Sequence, residues 1–135
     1  MKTILIIDDE KSILGFLKER LIGEGFNVLT ASDGKEGFNL FNDNQVDLVI
    51  TDIIMPDQDG FLTIMELKKI CPDIKIIAMS GGGRGLPEYY LDTAKGFGAK
   101  YTFEKPFKTS ELVKAVHELL EEEKISSCFS NSALS

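Results

Sequence analysis

Carboxylates, one hydroxyl and one ammonium stand where short apolar runs of this 135-residue chain end. Asp8, Asp9 and Glu10 follow "TILII" (3–7), and Asp52 follows "VDLVIT" (46–51). Ser80 follows "IKIIAM" (74–79), and Lys105-Pro106 follows "KYTFE" (100–104). Crowded carboxylates repel, which raises at least one pKa unless a cation intervenes. A ligand set made only of oxygen favours a hard divalent ion, and Mg²⁺ takes one or two carboxylates while keeping room for phosphate oxygens. A carboxylate, Mg²⁺, a lysine and a hydroxyl together suit phosphoryl transfer, in which the carboxylate attacks phosphorus to give an aspartyl phosphate. The metal and the lysine would neutralise charge on the transferring group.

Those residues need elements to bring them together. The runs at 3–7, 46–51 and 74–79 are nearly continuous in hydrophobicity, as strands are when both faces of a parallel sheet are covered. "FNVLTA" (26–31) and "KYTFE" (100–104) complete five predicted strands. Helices are predicted between and after them. Ile13, Leu14, Leu17 and Leu21 recur at helical spacing in 11–24, with Gly23 and Gly25 as a stop. Leu112, Val113, Val116, Leu119 and Leu120 form one apolar stripe in 109–123. Segments 33–43, 60–71 and 88–97 carry weaker helical patterns. Five strand–helix alternations predict right-handed crossovers and a parallel sheet with helices on both faces. In such sheets sites form at the carboxyl ends of the strands, where the order reverses.

Bulk composition narrows the function classes. A formal charge of −7 argues against a nucleic-acid surface, which needs a basic stripe. The apolar part of "MKTILIIDDE" is too short for a signal peptide, and no run reaches membrane-spanning length. A cytoplasmic protein without membrane insertion is expected. Cys71 and Cys128 have no metal-ligand spacing and are read as free thiols in a reducing compartment. One domain is expected over 1–124. Residues 125–135, "ISSCFSNSALS", lose charge and periodicity and are read as a frayed tail, native or appended.

"IIDDE", "DIIMPDQDG" (52–60), Ser80 after an apolar strand and "EKPF" (104–107), in this order and at these separations, resemble the receiver domain of two-component response regulators. The resemblance covers essentially 1–123. It implies a (βα)5 flavodoxin-like three-layer sandwich with a five-stranded parallel sheet of order 2-1-3-4-5. It implies that Asp52 is phosphorylated by a sensor histidine kinase or a histidine phosphotransfer protein. Carried over to this chain, Asp9 and Asp52 would bind Mg²⁺, Asp8 would hold metal-bound water, and the Ile54 carbonyl would be a third protein ligand. Ser80 and Lys105 would bind the phosphoryl oxygens, and Pro106 would follow a cis bond. The aromatic residue that often stands three before the lysine is Thr102 here, so the family's usual aromatic read-out is absent from that place. The resemblance implies a signalling module of the single-domain type, which catalyses only its own phosphorylation and dephosphorylation. Its signal would go to an unidentified downstream protein, with a phosphorelay intermediate or a phosphate sink as the alternative.

Plainer readings stand beside these. Asp8 and Asp9 could cap the helix near 11, because aspartate is common there. Asp57 and Asp59 are read as turn residues before Gly60. "SGGGRG" lacks a Walker pattern and is read as a mobile loop. His117 is read as a surface residue, and one of Tyr89 and Tyr90 as core. Ile54 and Gly82 replace polar residues able to hold a hydrolytic water, so slow decay of the phosphorylated state is expected. Among rival functions, an aspartyl-phosphate phosphatase of the haloacid-dehalogenase type needs a second acid at position 54. A degenerate receiver would have lost Asp52, Lys105 or the acidic pair. A flavin module of the same fold would absorb near 450 nm.

Overall fold

The computed structural model describes residues 1–55, 58–81 and 87–121, with the backbone alone at 54, 55, 58, 59 and 87–91. Three of the apolar runs form the centre of a sheet. They are β1 (Thr3–Ile7), β3 (Leu48–Asp52) and β4 (Lys75–Ser80). Ile4 to Ile7 and Leu48 to Ile50 have no exposed surface, which explains why these segments lack polar alternation. β2 (Asn27–Ala31) and β5 (Tyr101–Glu104) form the edges and carry more polar residues. All five pair in parallel, in the order β2-β1-β3-β4-β5. A separate antiparallel pair joins Ile54–Met55 to Gln58–Asp59.

The helices are α1 (Lys11–Gly23), α2 (Gly34–Asp43), α3 (Gly60–Ile70), α4 (Pro87–Gly96) and α5 (Thr109–Leu120). Alternate residues of each strand point to opposite layers. Leu5, Ile7, Val49, Ile76 and Ala78 pack with Phe41, Ile64, Leu67 and Ala94 of α2, α3 and α4. Ile4, Ile6, Leu48, Ile50, Ile77 and Met79 pack with Leu14, Leu17 and Leu21 of α1 and with Leu112, Val116 and Leu119 of α5. The three-layer arrangement expected from the sequence is therefore present.

Local chemistry fixes the helix ends. Asp33 accepts a hydrogen bond from the Glu36 N–H, and Glu36 Oε1 accepts one from the Ser32 N–H, each at 2.8 Å. α1 stops as Gly23 and Gly25 predict. Gly25 adopts φ +97°, its N–H reaches the Ile22 carbonyl, and the Phe26 N–H reaches that of Leu21. Gly60 opens α3 against the chain that carries Asp52. A Cβ there would lie 2.3 Å from Ile53 Cα.

Three expectations need correction. β3 and β4 run one residue past their apolar stretches, so Asp52 and Ser80 are the last residues of strands rather than the first of loops. Ladder hydrogen bonds come from the backbone and continue beneath a polar side chain. α5 is described to Leu120 rather than 123. Cys71 is buried and disulfide-bonded, not a free thiol. Nothing in the spacing around Cys71 signals that it is oxidised. Cys128 and the expected tail at 125–135 lie outside the described residues.

Candidate functional site

Parallel strands place their carboxyl ends along one edge. Asp8 follows β1, Asp52 ends β3, Ser80 ends β4, and Lys105 follows β5. β1 sits between β2 and β3, so the chain winds away from it in both directions and the edge beside it is the switch point. Backbone bonds continue past the strands. The Ile53 N–H donates to the Met79 carbonyl at 3.0 Å, and the Lys105 N–H donates to the Ser80 carbonyl at 2.6 Å. These bonds tie the ends of β3, β4 and β5 together, and the ladder between β1 and β3 sets the Asp8 end beside them.

Asp8, Asp9 and Asp52 offer carboxylate oxygens that all lie within 4.8 Å of one another. Asp8 has no exposed surface, Asp52 has 4%, and Asp9 is exposed. Lys105 Nζ reaches into this group, 2.7 Å from Asp8 Oδ2, 3.2 Å from Asp52 Oδ2 and 3.3 Å from Glu10 Oε1. Its stem passes close to Gly81, where a Cβ would stand 2.6 Å from Lys105 Cβ. The bond from Lys105 to Pro106 is cis, as the resemblance implies.

Burial pushes the Asp8 carboxyl above the usual carboxylate range, against the pull of its bonds from Lys105 and the Glu10 N–H. Burial also opposes charge on Lys105, but the bond to Asp8 and the charge of Asp52 outweigh it and hold the ammonium above the ordinary lysine value. Lys105 is therefore a fixed cation, and the cost of burying charge at this edge falls on Asp8. The set contains one ammonium against four carboxylates, Glu10 included, and every donor atom is a hard oxygen. It fits a Mg²⁺ ion, which would be held by Asp9 and Asp52 with Asp8 behind it.

Ser80 Oγ is buried and, alone among the described buried side-chain polar atoms, has no hydrogen-bond partner. Such a group is costly unless something else satisfies it, and an oxygen arriving at Asp52 on the neighbouring strand would do so.

Other expected residues fall as follows. Ile54 begins the short antiparallel pair two residues beyond Asp52. Gly82 and Asp57, and the side chains of Asp59, Tyr89 and Tyr90, lie outside the description, as does most of "SGGGRG". Thr102 is half-buried on β5 opposite Ala78, while Tyr101 and Phe103 pack on the α1 and α5 side, so no ring takes its place. Neither Asp8 nor Asp9 caps α1. The N-cap is Glu10, without a side-chain cap bond, and Asp8 Oδ1 accepts from the Glu10 N–H at 2.9 Å. His117 is a partly exposed surface residue, as read from the sequence, with Nε2 2.9 Å from Glu24 Oε1 and its ring tilted against Phe26. The residue missed as a partner of Lys105 is Glu10, whose signal was its place as the third acid of one strand end.

The architecture is a five-stranded flavodoxin-like sheet with an acidic cluster and a lysine at its switch point. The model of the response regulator receiver domain matches residues 4–117. The transcriptional regulatory protein CpxR of Klebsiella pneumoniae is 36% identical over 122 residues, covering 89% of this chain and 50% of that protein. A receiver domain protein from Clostridium thermocellum superposes with a TM-score of 0.83 at 34% identity, covering 91% of this chain and 97% of that one. TrrA from Thermotoga maritima, solved in complex with Mg²⁺ and BeF, gives 0.77 at 36% identity, with 88% and 99% covered. This chain belongs to the response regulator receiver domain family. It spans half or less of the length of the curated regulators it matches.

Proposed function

We propose that Asp52 accepts a phosphoryl group from a phosphohistidine of a sensor kinase or histidine phosphotransfer protein. One observation carries this reading. Lys105 Nζ bridges Asp8 and Asp52 at the sheet edge where the buried Ser80 Oγ lacks a partner. Asp52, nearly buried and bonded to Lys105, is held in one orientation for in-line attack. Its oxygen forms the new P–O bond as the P–N bond to the donor imidazole breaks. Asp9 and Asp52, with Asp8 behind and the Ile54 carbonyl as a further ligand, would hold a Mg²⁺ ion, which when bound would neutralise charge on the transferring oxygens. Lys105 donates to a phosphoryl oxygen carried on Asp52 once one of its three carboxylate contacts is released, and Ser80 Oγ donates to another.

Both movements pull on the ends of β4 and β5. Ser80 leads towards α4, and Thr102 lies on the face of β5 turned to that helix, opposite Ala78. The switched surface is read there by a partner protein in the cytoplasm. A relay intermediate or a sink would use the same acceptor chemistry without that read-out. The chain catalyses only its own phosphorylation and dephosphorylation. No helix among the described residues is long and apolar enough to cross a membrane. Phosphotransfer profiling against purified histidine kinases tests the reading. Labelling that persists in Asp52→Asn would sink the acceptor assignment.

A further inference from the structure

We propose that Glu10 is a positioning residue that competes with the phosphoryl group for Lys105 and so sets how readily the site takes small anionic donors. The proposal rests on the phosphoryl-acceptor reading of the same site. Three observations support it. Glu10 Oε1 lies 3.3 Å from Lys105 Nζ, beside the contacts to Asp8 and Asp52. The Glu10 side chain is 56% exposed, whereas that of Lys105 is 13% exposed, so Glu10 approaches the lysine from the solvent side. As the N-cap of α1, Glu10 makes no side-chain bond to its own helix, so no helix cap competes for that carboxylate.

The geometry has a direct consequence. An ammonium has three N–H donors, and three carboxylates take them here. A phosphoryl oxygen arriving at Asp52 can gain Lys105 only as a carboxylate releases it. Asp8 is buried and cannot follow water outward, whereas Glu10 can. The exposed contact is the one that yields. Glu10 also places a negative charge at the mouth through which an anionic donor enters, so both effects act in the same direction.

The contact is solvent-exposed, so its weight is modest. Removing the charge should tighten binding about two- to fivefold, the span expected for an exposed ion pair. The experiment compares wild type, Glu10→Gln and Glu10→Asp, all as the full chain. Each is titrated with beryllofluoride at fixed Mg²⁺ and followed by amide NMR shifts, at low and high salt. Glu10→Gln should half-saturate at two- to fivefold lower beryllofluoride and label faster with acetyl phosphate by a similar factor. The difference should shrink at high salt. Glu10→Asp keeps the charge but shortens the arm, so it should fall between the two. If Glu10→Gln binds beryllofluoride no more tightly than wild type, or Glu10→Asp matches wild type, the competition for Lys105 is refuted. If wild type takes no beryllofluoride with Mg²⁺, the acceptor reading itself fails, and this proposal fails with it.

Discussion

Lys105 Nζ lies 3.2 Å from Asp52 Oδ2, so the ammonium already stands beside the carboxylate that the proposed reaction modifies. The ammonium holds the acceptor carboxylate in place before transfer and donates to a phosphoryl oxygen afterwards. Ground state and product thus share one lysine with different partners.

The acceptor prediction follows from that pair. Incubation with acetyl phosphate and Mg²⁺ should add one alkali-labile phosphoryl group. Asp52→Asn should lower incorporation at least a hundredfold, and EDTA should suppress it in the wild type. Mass spectrometry of the intact protein reads both. Equal labelling with and without EDTA would remove the metal from the mechanism.

Ser80 provides a separate test of coupling. Its Oγ is buried without a partner, so Ser80→Ala should cost the fold little, within about 1 kcal/mol, or raise its stability. The same variant should lose most of the phosphorylation-dependent shift in the amide signals of α4. Lys105→Ala should lose it too. A complete shift in either variant would show that the residue is not part of the switch.

Asp8 should trade stability for function. Its carboxyl sits above the usual range because burial penalises the charge. A carboxyl raised in the folded state favours folding when protonated, and that contribution is lost as pH rises through the raised value. Asp8→Asn removes the charge while its Oδ1 still accepts the Glu10 N–H, and Lys105 keeps Asp52 and Glu10. Without Mg²⁺ at neutral pH, the variant should melt roughly 2–5 °C higher, the size of about 1 kcal/mol in a domain of this length. The gap should close on acidification below the usual carboxylate range, and the variant should bind Mg²⁺ weakly. A lower melting temperature at pH 7 would contradict the assignment.

Gly60 should be intolerant even of alanine. The added Cβ would meet three backbone atoms of Ile53 within 2.7 Å, so the chain beside Asp52 has to move. Gly60→Ala should cost roughly 2 kcal/mol, as overpacking does, and slow phosphorylation by displacing the acceptor. Denaturant melts and labelling rates measure the two effects. Gly37→Ala is a contrasting control, because its Cβ would meet mainly the flexible end of Ile7.

Much of this was legible in the sequence because burial on both sides leaves a simple mark. The runs at 3–7, 46–51 and 74–79 are nearly continuous in hydrophobicity, and the residues after them had to share an edge. Position along the strand was less legible. Asp52 and Ser80 look like loop residues by polarity, but their backbone groups still belong to the ladder. Contacts of long side chains were the least legible. His117 reads as a polar helix residue, yet Glu24 and Phe26 lie far from it in sequence and meet it only in the fold. Glu10 was visible as an acid at the right strand end. Its reach to Lys105 depends on rotamers that sequence does not encode directly.

Among the described residues, the sheet divides the apolar interior into two compartments with no side chain common to both. Substitutions in Leu17 and Leu67, on opposite sides, should therefore combine by simple addition, whereas pairs within one compartment should interact. In lineage terms, the packing behind α4 can be remodelled over many generations while that behind α1 and α5 stays intact. A module arranged this way can reshape one flank while the other keeps its fit.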